Sequence, residues 1–185
     1  MAPHPVSLQA LEAEVWGELG AAARDRRHPW RTPVLATVDG DAADARTVVL
    51  REVDAPEKAL LIYTDARAGK VAQLQRHPEG TLVMWSAALG WQLRCRVHLE
   101  LEASGLAASS RWARIKLSPA AQDYLSPLPP GSPLAGPDAP THETVTREHF
   151  AIVRAVVRSI DWLALHADGH RRARFDAAGA RWLQP

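Results

Sequence analysis

The chain has a single cysteine, Cys95, so it cannot form an intramolecular disulfide and offers no cysteine cluster for zinc or an iron-sulfur centre. No run of about 18 uninterrupted apolar residues occurs, and residues 1–9 lack a basic start followed by an apolar stretch, so neither membrane insertion nor export is expected. A cytoplasmic location fits these absences. Net charge is also nearly missing: Lys and Arg total 22 against 21 for Asp and Glu. Such a balance gives no electrostatic reason to expect nucleic acid or an anionic membrane as a partner. Lysine is scarce, standing only at Lys58, Lys70 and Lys116, and arginine carries the remaining positive charge. Any anion binding must therefore be local.

What is present is enough apolar material, 46% of 185 residues, to close one sizeable core, and too little chain for two ordinary domains. A single domain over 1–185 is expected. Ser7 can cap a helix over about 7–24 in which Leu8, Leu11, Val15 and Leu19 recur at spacings of three and four, ending before His28-Pro29. Beyond Thr32 the pattern becomes β-like. Pro33 to Val38 and Arg46 to Val53 flank an Asp39-Gly40-Asp41 turn, Ala59 to Tyr63 forms a further strand, and a short helix around Lys70 to Gln75 ends before Pro78.

Thr81 to Trp85 and Trp91 to Glu102 supply two more strands. In the second, Leu93, Cys95, Val97, Leu99 and Leu101 alternate with polar residues, the period-2 mark of one buried face. Helices are expected over Ser109 to Leu117 and from Ser118-Pro119 to about Leu125. Residues 126–140, with six prolines and two glycines, read as a long surface loop able to act as a lid or partner-facing arm. Phe150 to His166 is again strand-like, Asp168-Gly169 provides a turn, and His170 to Asp176 and Arg181 to Leu183 close the sequence. Without regular βαβ alternation, an antiparallel barrel with covering helices is the economical fold.

The informative stretch is Arg46-Thr47-Val48-Val49-Leu50-Arg51, where basic residues bracket apolar ones on a strand. Alternation sends Thr47, Val49 and Arg51 to one face and Arg46, Val48 and Leu50 to the other, so the two arginines need not share one ligand group. Tyr63-Thr64 ends the next strand, Arg67 and Lys70 open the following helix, and Gln92 starts the longest strand. Near the C-terminus stand His170-Arg171-Arg172-Ala173-Arg174-Phe175 and Trp182-Leu183-Gln184-Pro185. Seven tryptophans are many for this length, and those at 85, 91, 112 and 162 suit core or dimer interface better than any assignable site.

In this order and spacing, these motifs resemble the pyridoxamine 5'-phosphate oxidase family of FMN-binding split barrels, over roughly Arg31 to Gly105 and again from Phe150 onward. The resemblance implies a mainly β fold, an antiparallel six-stranded split β-barrel with short covering helices. It implies FMN as cofactor, lined by Arg46, Thr47, Val48, Val49, Leu50 and Arg51. Ribityl and phosphate would be held by Tyr63, Thr64, Arg67 and Lys70, with Gln92 facing the cofactor and Arg174 near the flavin. It also implies a homodimer with cofactor sites at the interface, and a small-molecule substrate approached by Arg171, Arg172 and Trp112. No residue is assigned as catalytic and none as a metal ligand.

FMN chemistry agrees with these residue types, because its phosphate carries nearly two negative charges that Arg forks, a Lys ammonium and helix-start amides neutralise. A fixed cation such as Arg174 beside the reduced flavin would raise its potential. The sequence also departs from the oxidases proper: Arg51 replaces their Lys, Gly69-Lys70 replaces an Arg-Lys pair, Phe150-Ala151-Ile152 replaces an aromatic-glycine-glycine segment, and the tail lacks their Arg-x-His group. Pyridoxamine phosphate oxidation itself is therefore not expected. The resemblance leaves open an FMN-dependent oxidoreductase acting on a small substrate or reduced nicotinamide, a reductase that exchanges FMN, and a non-catalytic carrier of flavin, deazaflavin or haem.

Overall fold

The computed structural model describes residues 7–137 and 148–185. Helix α1, Leu8–Arg24, begins where Ser7 accepts a hydrogen bond from the Ala10 amide, and its buried stripe is Leu11, Val15, Leu19 and Ala22. That stripe packs into the main core with Leu35, Leu82, Leu93 and Trp162. Each of these leucines contributes roughly 1.5–3 kcal/mol on leaving water. Arg31, in a single 3-10 turn at Pro29–Arg31, donates to the carbonyls of Ala22 and Ala23 and so caps the end of α1.

Nine strands follow: β1 Val34–Asp39, β2 Ala42–Thr47, β3 Leu50–Asp54, β4 Ala59–Asp65, β5 Glu79–Ser86, β6 Trp91–Glu102, β7 Phe150–Ala164, β8 Arg171–Asp176 and β9 Gly179–Leu183. All pairings are antiparallel, in the order β2-β1-β5-β6-β7-β4-β3, with β8 also on β7 and β9 on β8. The expected antiparallel split-barrel architecture is present, but with nine strands in place of six, in a sheet that is not closed. The split lies along β7. Its first half, Phe150 to Val156, pairs with β4, and its second half, Ser159 to Ala164, pairs on the same edge with β8. Between them the register against β6 shifts, and the Val157 amide turns to the Lys58 carbonyl at 2.8 Å. A local irregularity of this kind bends a strand and lets one strand serve two neighbours.

The expected single strand from Arg46 to Val53 is in fact two. β2 pairs with β1, the chain crosses over at Val48-Val49, and β3 pairs with β4 at the opposite end of the strand order. Alternation nevertheless survives the crossing, with Val48 and Leu50 buried and Thr47 exposed. The turn between β5 and β6 requires glycine at 90, where φ is +67° and a Cβ would meet the Leu165 carbonyl oxygen at 2.8 Å.

Helix α2 spans Gly69–Arg76, and α3 spans Gly105–Ile115, four residues earlier than expected. Ser109 does not begin that helix; its hydroxyl donates to the Gly105 carbonyl at 2.8 Å from within it. α3 and the 3-10 turn at Pro119–Tyr124 cover a second, smaller core of Ala59, Leu61, Phe150, Ile152, Ala108, Trp112 and Tyr124. β4 is thus buried on both faces, which is why Ala59 to Ile62 is uniformly apolar and shows no alternation. Trp91 and Trp162 stack edge-to-face at 5.2 Å in the main core, while Trp85 stays 46% exposed. Among the described residues no helix is long and apolar enough to cross a membrane. Part of the Pro-rich loop, residues 138–140, lies outside the described residues.

Candidate functional site

The β2-to-β3 crossing, the end of β4, the start of α2 and the 3-10 turn at Pro119–Tyr124 enclose a cavity of about 220 Å³. Seven of the residues expected to hold a cofactor line it: Thr47, Val48, Val49, Arg51, Tyr63, Thr64 and Lys70. Asp65, Ala68, Asp123, Tyr124 and Pro130 complete the wall. None of these five is singled out by local pattern, since Tyr124 and Asp123 arrive from a distant turn through the packing of Tyr124 on Phe150, ring centroids 5.3 Å apart.

The cavity is lined by two cations, Arg51 and Lys70, and two carboxylates, Asp65 and Asp123, of which Asp65 is taken by Arg67. Arg51 and Lys70 are both half-buried, and among the described residues neither has an ion-pair partner within 4.0 Å. The Arg51 guanidinium carbon lies 5.7 Å from the centre of the Tyr63 ring, and its buried Nε has no hydrogen-bond partner. A buried donor without an acceptor is costly, so this group is set up to receive one. Burial lowers the Lys70 ammonium below its ordinary range, the Arg46 charge lowers it further, and Asp65 partly restores it. Arg31 is lowered first by burial and then by Arg51, so three cations share this end of the barrel. α2 begins after Ala68, which supplies no side-chain cap; the Val71 amide donates to the Ala68 carbonyl at 2.8 Å, and the amides of Gly69 and Lys70 remain for an incoming anion.

Tyr63 is turned toward the protein. Its hydroxyl donates to Glu52, which Arg111 grips through Nε at 3.1 Å and a terminal nitrogen at 3.0 Å, with Arg114 at 3.3 Å. Burial and then the Glu52 carboxylate raise the Tyr63 phenol well above its usual range. Burial alone would raise Glu52, but hydrogen bonds from Tyr63 and Arg111 outweigh it and hold the carboxylate ionised.

Other expected residues lie elsewhere. Leu50 is fully buried in the core. Arg46 does not line the cavity; it donates to Thr37 Oγ1, to Gln73 Oε1 at 2.9 Å, to the Leu35 carbonyl at 3.3 Å and, closely, to Asp44. Gln73 in turn donates to Asp44 at 2.8 Å, so Arg46 ties α2 to the β1–β2 hairpin and orients the helix start from behind. Arg67 points to Asp65 and the Pro-rich segment. Trp112 is 7% exposed in the second core, its ring 5.5 Å from Phe150.

Gln92, Arg172 and Arg174 occupy the outer face of the sheet. Register places Gln92 between Trp85 and Leu163, with Arg172 beside Leu163; the next row runs Val83, Arg94, Asp161, Arg174, Arg181. Arg172 forks onto Asp161 at 3.0 and 2.8 Å, Arg94 reaches the same carboxylate at 2.9 Å, and Arg174 lies 3.0 Å from Asp176. Arg171 is exposed and sits 6.0 Å from the Trp182 ring. Among the described residues no group of three or more His, Cys, Asp or Glu could hold a metal.

Residues 13–101 match the family model of the pyridoxamine 5'-phosphate oxidase FMN-binding domain, a span that holds every cavity-lining residue from Thr47 to Lys70 together with Gln92. Over this span, a little under half of its length, the chain is similar to the pyridoxamine 5'-phosphate oxidase family. Its fold matches that of a pyridoxamine 5'-phosphate oxidase-related FMN-binding protein from Nostoc punctiforme PCC 73102 with a TM-score of 0.71 at 22% identity, covering 98% of this chain and 99% of the other. PhzG from Burkholderia lata 383, solved with tetrahydrophenazine-1-carboxylic acid, matches at 0.74 and 16% identity over 100% and 98%. A haem-binding protein from Mycobacterium smegmatis matches at 0.51 and 14% identity over 83% of this chain and 57% of that one. At such identities the likeness is one of fold. No curated protein matches the chain.

Proposed function

We propose that this chain is a pyridoxamine 5'-phosphate oxidase-related protein that binds FMN and works as an FMN-dependent oxidoreductase on a small organic substrate or reduced nicotinamide. The observation that carries the reading is a pair of half-buried cations, Arg51 and Lys70, that have no ion-pair partner among the described residues and stand beside a helix start without a side-chain cap. That combination fits a phosphate. Arg51 and Lys70 would neutralise it, Thr47 and Thr64 would offer hydroxyls, and Val48 and Val49 would present an apolar edge to the ring system. FMN, when bound, would supply the hydride and electron chemistry. Among the described residues the cavity lining offers no His, Cys or Met, and its two tyrosines are already engaged, Tyr63 with Glu52 and Tyr124 with Arg51, which supports flavin over haem in this position.

One chain supplies only part of an enclosing site, because about 220 Å³ falls short of the roughly 300–1,000 Å³ of ordinary ligand pockets. The outer sheet face, with Trp85 46% exposed and Val34 39% exposed beside Gln92, Arg172 and Arg174, suits coverage by a second copy. A two-fold homodimer would then bring that face of one protomer toward the cavity of the other. In such an arrangement Arg174 would place a positive charge near the flavin.

The test is an absorbance spectrum after incubation with FMN and removal of the excess. Flavin bands at about one FMN per chain, lost on Lys70→Ala, support the reading; a colourless wild-type protein overturns it.

A further inference from the structure

The Pro-rich segment beginning Ser126-Pro127-Leu128-Pro129-Pro130 has an unusual hydrogen-bond problem. Three of these five residues lack an amide hydrogen, so the segment cannot pair its own carbonyls in a regular way, and water or side chains from elsewhere satisfy them. One side chain meets most of that need. Arg67 donates to the Ser126 carbonyl at 2.7 Å, the Pro127 carbonyl at 3.2 Å and the Leu128 carbonyl at 3.5 Å.

The guanidinium is itself fixed from below. Asp65, 3% exposed, takes Arg67 Nε at 3.1 Å and a terminal nitrogen at 2.7 Å, and also accepts the Arg67 backbone amide at 2.7 Å. With its fork committed to a buried carboxylate and a row of carbonyls, Arg67 does not line the cavity, although Asp65 and Ala68 on either side of it do. The elements on both sides of the fastened segment do line it, Asp123 and Tyr124 before and Pro130 after. Tyr124 is held by its packing on Phe150, and Arg67 is the side chain that ties the Pro130 end of this wall to the start of α2.

We propose that Arg67 is a positioning residue that fastens the Pro-rich segment to the start of α2, holding the outer wall of the cavity in place and thereby setting the rate at which a ligand leaves. The link to ligand exchange rests on the FMN reading above; the fastening itself does not. Lysine cannot replace the arginine here, because a single ammonium cannot bind a carboxylate side-on and reach three carbonyls at once.

The test pairs limited thermolysin digestion with FMN dissociation for the wild type, Arg67→Ala and Arg67→Lys, with thermal unfolding as a check on the fold. Cleavage beside Leu128 and Leu134 should accelerate about tenfold or more in Arg67→Ala, since proteolysis follows the population of the open segment. FMN should leave correspondingly faster, and Arg67→Lys should recover little of either. Unchanged cleavage in both variants overturns the proposal, and so does weakened FMN binding with unchanged cleavage, which would make Arg67 a direct phosphate ligand. If Arg67→Ala does not fold, the milder Arg67→Lys decides by the same readouts. Failure of the wild type to retain FMN would remove the flavin reading, while the digestion would still decide the fastening.

Discussion

Two regions of this protein that carry basic side chains are built on opposite electrostatic plans. On the outer sheet face, Arg94 and Arg172 converge on Asp161, and Arg174 and Arg181 on Asp176. In the cavity, Arg51 and Lys70 have no such partner among the described residues, although both are more enclosed by protein than a solvated surface charge. A neutralised cation serves the fold or an interface, whereas an enclosed and unneutralised one carries a standing desolvation cost that an anionic ligand relieves. The same residue type thus has two uses, distinguished by what lies across from it. Arg67 shows how decisive this is, since one buried carboxylate turns it from a candidate ligand into a structural fastener.

The contrast can be broken most sharply from the cavity side. Replacing both Arg51 and Lys70 by Ala should weaken FMN binding by at least about thirtyfold in a fluorescence titration, as each charge-assisted contact is worth roughly 1–3 kcal/mol. The same loss from Arg94→Ala, with its carboxylate partner on the outer face, would erase the distinction.

On the outer face the complementary change is Asp161→Asn. It leaves Arg94 and Arg172 without their shared carboxylate and should cost roughly 1–3 kcal/mol in urea unfolding. Burial alone would raise the Asp161 carboxyl, but hydrogen bonds from Arg172 and Arg94 hold it below its ordinary range. Its folded value being depressed, the contribution is fully present above about pH 4 and disappears as pH falls through the lower folded value. The acid-limb stability difference between wild type and Asp161→Asn should therefore shrink as the medium becomes more acidic.

Trp85→Glu sharpens the comparison at the proposed interface. Placing a carboxylate on the exposed face should shift sedimentation from dimer to monomer without disturbing the core, and a monomeric wild type would remove the role given to that face. The smallest effect concerns pH and Lys70. Because the ammonium is held below its ordinary value, FMN affinity should decline at alkaline pH before an ordinary lysine would titrate, and Lys70→Arg should flatten that decline.

Much of this was legible in local sequence. Ser7 and the Leu11, Val15, Leu19 stripe marked α1 to within a residue, and the alternation from Trp91 to Glu102 matched β6 at both ends, because caps and period-2 burial are properties of neighbouring residues. The crossover at Val48-Val49 was not, since both halves have strand character and only their different partners separate them. α3 was misplaced for a similar reason: a serine can cap a helix or sit inside it, and local sequence does not choose.

The candidate site divides along the same line. The order Arg46 to Arg51, Tyr63-Thr64, Arg67, Lys70 was readable as a set of residue types suited to an anion, and alternation already separated Arg46 from Arg51. Which of these cations remain free was decided only by tertiary structure. Asp44 and Gln73 take Arg46, Asp65 and three loop carbonyls take Arg67, and Arg51 and Lys70 are left facing the cavity. By itself, the sequence determined the strands, the main amphipathic helix and the chemical character of the site. The fold determined which charges are neutralised, because charges are paired through space and a carboxylate distant in sequence is as effective as an adjacent one.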